Sequence, residues 1–132
     1  MPSYANPYIA GFLPFSSRRT HVELGSEINA FVAAVGSGGT FVGTSKFLKQ
    51  KNRNIVCAVV EPEGVEVLAG KSTTNLRHNM QGIGYGIIIP QWDASIADVY
   101  LAVNSEEASF YRKALAQKEG LYVGYSALVL KW

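Results

Sequence analysis

The residues with the clearest capacity for chemistry form a five-residue turn, Gly36-Ser37-Gly38-Gly39-Thr40, set between the apolar run AFVAAV (30–35) and a segment of helical character at about 40–51. A glycine-rich turn that leaves a strand and opens a helix gathers backbone N–H groups and the positive helix end around one point, which is a physical basis for holding phosphate. A nucleoside triphosphatase loop needs G-x-x-x-x-G-K-[ST]; Gly38 and Gly43 have the spacing, but Thr44 stands where the lysine must be. A dinucleotide site needs G-x-G-x-x-G. Gly36 and Gly38 match, and Glu61 lies where a ribose-binding acid belongs, but Phe41 takes the place of the third glycine. A tight turn without ligand and a cradle for some other phosphate-bearing ligand are the remaining readings.

Other reactive groups are sparse. The single cysteine, Cys57, sits inside IVCAVV, which excludes an internal disulfide and a cysteine-rich metal site and predicts a buried thiol. His21 reads as a surface residue. Lys46, Lys49, Lys51 and Arg53 close the first predicted helix, where cations complement the dipole and point into solvent. A formal charge of +2 over 132 residues argues for neither a nucleic-acid nor a membrane partner. The N-terminal residues have no basic leader pattern and no apolar stretch approaches eighteen residues, so the expectation is a cytoplasmic protein in a reducing compartment.

The elements that must position the turn follow from four short apolar runs: 30–35, IVCAVV (55–60), DVYLAV (98–103) and LYVGYSALVL (121–130). They do not alternate, which suits a mainly parallel sheet covered on both faces. A second helix is predicted over about 105–119. Asn104 and Glu107 form its capping box, Ala108, Tyr111 and Leu115 its apolar face, and Gly120 its stop. The segment 61–97 reads as mostly irregular, with GIGYGIIIP (82–90) partly extended, and the prolines at 2, 7 and 14 mark the first twenty residues as loop. The composition, 48% hydrophobic and 17% charged, is that of an ordinary globular chain, and the repeated strand–helix–strand order predicts one α/β domain over residues 1–132, a three-layer open sheet with flanking helices.

Taken together, AFVAAVGSGGTFVG, IVCAVVEPEG, RHNMQGIGYGIIIPQWD and VYLAVNSEEASFYRKALAQKEGLYVGYSA resemble, in order, four successive segments of the cysteine synthase/cystathionine β-synthase family of fold-type II pyridoxal-phosphate enzymes, and YANP near the start resembles its Ala-Asn-Pro. The resemblance implies that Gly36, Ser37, Gly38, Gly39 and Thr40 wrap the phosphate of pyridoxal 5'-phosphate and that Ser126 meets the pyridine nitrogen. A hydroxyl at that nitrogen moderates the electron sink, which suits β-elimination and β-replacement. Gln81, Gly82, Ile83 and Gly84 would line the substrate side, and His78 matches a family position of structural role.

The family's Schiff-base lysine and its carboxylate-binding Ser/Thr-Gly-Asn loop precede the cradle, whereas this sequence starts just before it. KSTTN (71–75) mimics that pair in composition but lies in a different segment, so Lys71 is not expected to take the lysine's place. Tyr85 stands where the family has a small residue and Leu128 where it has a glycine; both narrow the cofactor's space. The expectation is therefore a cysteine synthase-like protein that keeps the phosphate cradle without the nucleophile and is inactive alone. Two alternatives stand beside it: part of a longer or two-chain enzyme that performs β-replacement on serine or an O-acyl-serine, or a non-catalytic partner that self-associates or docks on a full-length relative.

Overall fold

The computed structural model describes residues 28–124. Three strands, β1 (Ala30–Ala34), β2 (Val56–Pro62) and β3 (Val99–Val103), form a parallel sheet in the order β1-β2-β3. Helix α1 (Gly39–Lys51) connects the first two, and helix α2 (Ser105–Glu119) follows the third. The register sets Phe31 beside Cys57 and Val59 beside Tyr100. Because side chains alternate along a strand, β1 and β2 each feed two cores. Cys57, Val59 and Val35 pack with Phe41, Val42 and Leu48 of α1 and with Ile89 and Ile96. Val60 and Val103 pack on the other face with Met80, Ile83 and Ala108 of α2. Helix, sheet, helix is the predicted three-layer arrangement.

Burial on both faces holds for β2 alone, which is central and buried from Cys57 to Pro62. Strand β3, an outer strand among the described residues, leaves Val99, Tyr100 and Leu101 more than a third exposed. Neighbouring strands, rather than residue type, decide this difference. The fourth apolar run begins irregularly, with no strand over 121–124, and its remainder lies outside the described residues. The expected extended stretch at 82–90 is also irregular. Positive φ at Gly82, Gly84 and Gly86 breaks any strand there.

Both helix ends follow from side-chain chemistry. The Asn104 carboxamide accepts from Glu107 N (2.8 Å), Glu107 reaches back to the Asn104 N–H, and Gly120 closes α2 in the left-handed region. Lys49 departs from expectation. Instead of pointing into solvent, its ammonium donates to the Ile55 carbonyl (3.2 Å) and to Asp98 (2.7 Å), and its side chain is only 20% exposed. Asp98 also accepts from the Cys57 N–H (2.7 Å). That bond first, and Lys49 second, hold its carboxyl below the usual aspartate range.

Candidate functional site: the glycine turn

The turn lies at the carboxyl end of β1, where open α/β sheets place their ligands. Gly38 is the N-cap of α1 at φ 83°, ψ −16°, a conformation that favours glycine. No side chain caps this end and no acidic residue occupies its first turn. The helical ladder opens with Val42 N–H donating to the Gly38 carbonyl (2.9 Å). The N–H groups of Gly39, Thr40 and Phe41 precede it and point out of the helix end. Ser37 and Thr40 are exposed, so their hydroxyls stand open at the same rim.

The structure brings the 82–91 segment onto this turn. A Cβ on Gly36 would overlap the Gly82 carbonyl oxygen, and the Tyr85 hydroxyl lies 3.8 Å from that Cβ position. A Cβ on Gly38 would overlap the terminal methyl of Ile89. The Gln91 amide donates to the Ser37 carbonyl. Gly36 and Gly38 thus have a packing role as well as a backbone one. Gln81 is exposed, and Gly84 rests against Pro62 while its carbonyl accepts from His78 Nε2 (2.9 Å). The Ile83 side chain turns away into the α2-side core, so it offers the site backbone only. Ser126 and His21 lie outside the described residues.

Glu61 is not available to a ribose. It is 3% exposed, and its carboxylate accepts from the N–H groups of Leu68 (3.0 Å) and Ala69 (3.2 Å), fixing the bend after β2. Burial raises its pKa above the ordinary value, against the lowering effect of those two bonds. Phe41, where a dinucleotide loop needs glycine, is buried between Phe31 and Trp92. Gln91 and Ile89 also border the turn. Their contacts cross some fifty residues of chain, and no local pattern marks them.

The residues present fit a phosphate monoester. Uncapped amides at a positive helix end, two exposed hydroxyls and the lack of a carboxylate in the first helical turn form a donor set for a dianion. The described lysines lie elsewhere. Lys46 pairs with Asp93 (3.2 Å), Lys51 lies over the Phe47 ring, Lys71 is 64% exposed beside Glu66 (3.4 Å), and Lys113 and Lys118 are exposed on α2. Among the described residues no cluster of histidine, cysteine, aspartate and glutamate could hold a metal, and no helix is long and apolar enough to cross a membrane.

A parallel α/β layer with a glycine-rich turn at a strand end defines the class, and comparison with known proteins defines the family. Residues 2–131 match the family model described as pyridoxal-phosphate dependent enzyme, and the chain belongs to that family. It is 40% identical over 105 residues to a cysteine synthase of Helicobacter pylori (strain J99), covering 80% of this chain and 33% of the relative. It is also 40% identical over 104 residues to the O-acetylserine dependent cystathionine β-synthase of Bacillus subtilis, covering 79% of this chain and 33% of that protein. The fold superposes on a crystal structure of cysteine synthase from Entamoeba histolytica with TM-score 0.87 and 27% identity, over 96% of this chain and 37% of that one. The O-acetylserine dependent cystathionine β-synthase structure from Helicobacter pylori gives TM-score 0.79 and 35% identity over 92% and 39%. The chain spans about a third of the length of the curated relatives it matches.

Proposed function

We propose that this chain is a cysteine synthase-like protein that holds the phosphate of pyridoxal 5'-phosphate through the Gly36–Thr40 turn and carries no Schiff-base lysine of its own, so that alone it does not turn over. The uncapped, acid-free start of α1 is the observation that carries the reading. The amides of Gly38, Gly39 and Thr40 and the hydroxyls of Ser37 and Thr40 would bind the phosphate. Ser126, by resemblance, would meet the pyridine nitrogen. Gln81 and the backbone of Gly82 to Gly84 would border the amino-acid substrate. When bound, the cofactor would supply an electron sink for loss of an α-proton and a β-substituent. A nucleophilic lysine must stand beside the reacting carbon, and the described lysines are engaged or exposed away from the turn. A reducing, cytoplasmic setting suits the buried free thiol. The test adds cofactor, reduces with borohydride, maps the labelled peptides and assays sulfide-dependent β-replacement. Scattered, substoichiometric labelling without turnover is expected; one stoichiometric lysine adduct together with turnover overturns the reading.

A second reading, in which the chain works with a complementary polypeptide or docks on a full-length relative, is favoured by its exposed apolar residues. Phe110 (67%), Leu121 (53%) and Tyr122 (85%) lie on or beside α2. Mixing with a full-length cysteine synthase should then give a complex in sedimentation velocity; two independent boundaries at micromolar concentration would count against it.

A further inference from the structure

A second concavity, of about 280 Å³, opens at the carboxyl ends of β2 and β3 and includes none of the residues of the glycine turn. Its floor is apolar and buried, formed by Met80 and Val103. Its rim carries Glu63 and Arg77, both exposed and neither in an ion pair with any described residue. The backbone at each is fixed: Glu63 N–H donates to the Val103 carbonyl (3.0 Å), and Arg77 N–H donates to the Asn75 carboxamide (2.9 Å). The Ser105 hydroxyl accepts from Asn79 N–H (3.2 Å), which ties the loop to the start of α2.

Two opposite charges that border one small cleft without pairing call for a ligand with both signs. We propose that this cleft binds a small zwitterionic α-amino acid, its carboxylate on Arg77, its ammonium on Glu63 and its short side chain over Met80 and Val103. A guanidinium takes a carboxylate in a two-pronged contact, and the opposing carboxylate accepts from an ammonium. The volume lies at the small end of ligand sites, which restricts the ligand to a compact molecule. A phosphate-like dianion is disfavoured by Glu63 and by Glu106 and Glu107 in the first turn of α2, whose capping box already occupies that helix end. A simple cation is disfavoured by Arg77.

The test is an amide-resolved NMR titration of the full chain with L-alanine, without cofactor. At roughly 50 mM, a concentration that saturates even a millimolar site, the amides of Glu63, Arg77 and Ser105 should shift while those of Gly38 to Thr40 stay in place. L-alaninamide, which lacks the carboxylate, and N-acetyl-L-alanine, which lacks the ammonium, should each bind roughly tenfold more weakly, as loss of one charged contact requires. Glu63→Gln and Arg77→Gln should each weaken L-alanine to the same degree; both residues are exposed, and an unchanged amide spectrum elsewhere verifies the fold. Binding of either analogue as tightly as L-alanine, shifts confined to the glycine turn, or no shifts at all would overturn the proposal. Inorganic phosphate that moves the same amides as strongly in Glu63→Gln would identify an anion site instead and would overturn it too.

Discussion

Replacing Gly38 with alanine imposes two separable penalties. At φ 83° an alanine is held in the left-handed region at a cost of about 1–2 kcal/mol. Its Cβ also overlaps the terminal methyl of Ile89, a side chain buried in the α1-side core, and forcing extra volume into a packed core adds about 1–3 kcal/mol. Gly82 isolates the first penalty: its φ is 85°, yet a Cβ there meets nothing within 4 Å. Urea unfolding followed by circular dichroism should therefore rank Gly38→Ala as more destabilising than Gly82→Ala by about 1–3 kcal/mol. Ile89→Val removes the overlapped methyl. In the Gly38→Ala background it should cost less than its usual value of about 1 kcal/mol, or restore stability. Equal losses for Gly38→Ala and Gly82→Ala, or strict additivity of the Gly38 and Ile89 changes, would refute the packing of the 82–91 segment onto the turn.

Glu61 gives a pH-dependent prediction. Its folded pKa is raised, chiefly by burial, so its contribution to stability is fully present below the ordinary value of 4.5 and is lost as pH rises through the raised value. Against Glu61→Gln, the unsubstituted protein should lose ground as urea midpoints are taken upward from pH 4.5; a relative gain would contradict the sign. Asn104→Ala removes the side-chain half of the α2 capping box and should cost about 1 kcal/mol in the same assay, whereas an unchanged midpoint would mean that α2 is held by packing alone.

Local chemistry made much of this fold legible. The glycine turn, the Asn104–Glu107 box, the Gly120 stop and the three strand cores all lie where their own residue types place them. Contacts between distant segments were not legible. Gln91 reaches Ser37 across 54 positions and Lys49 reaches Asp98 across 49. Neither pairing leaves a periodic trace. Glu61 misled because an acid at a strand end suits both a ribose and a backbone turn, and only the positions of Leu68 and Ala69 decide between them. Among the described residues β3 lies at the outer side of the sheet, and its exposure depends on that place, which composition does not encode. Ile83 lies in the glycine-rich loop over 82–86, where no period applies, and only the fold shows that its side chain is buried with Met80 in the α2-side core.

The proposed phosphate seat is the Gly36–Thr40 turn. An NMR titration with pyridoxal 5'-phosphate, and in parallel with inorganic phosphate, tests it most directly. The amides of Gly38, Gly39 and Thr40 should show the largest saturable shifts with both ligands, and Gly38→Ala should abolish them. Shifts confined to lysine side chains or to the 46–53 basic stretch, with the turn amides unmoved, would show that the turn is not the phosphate seat.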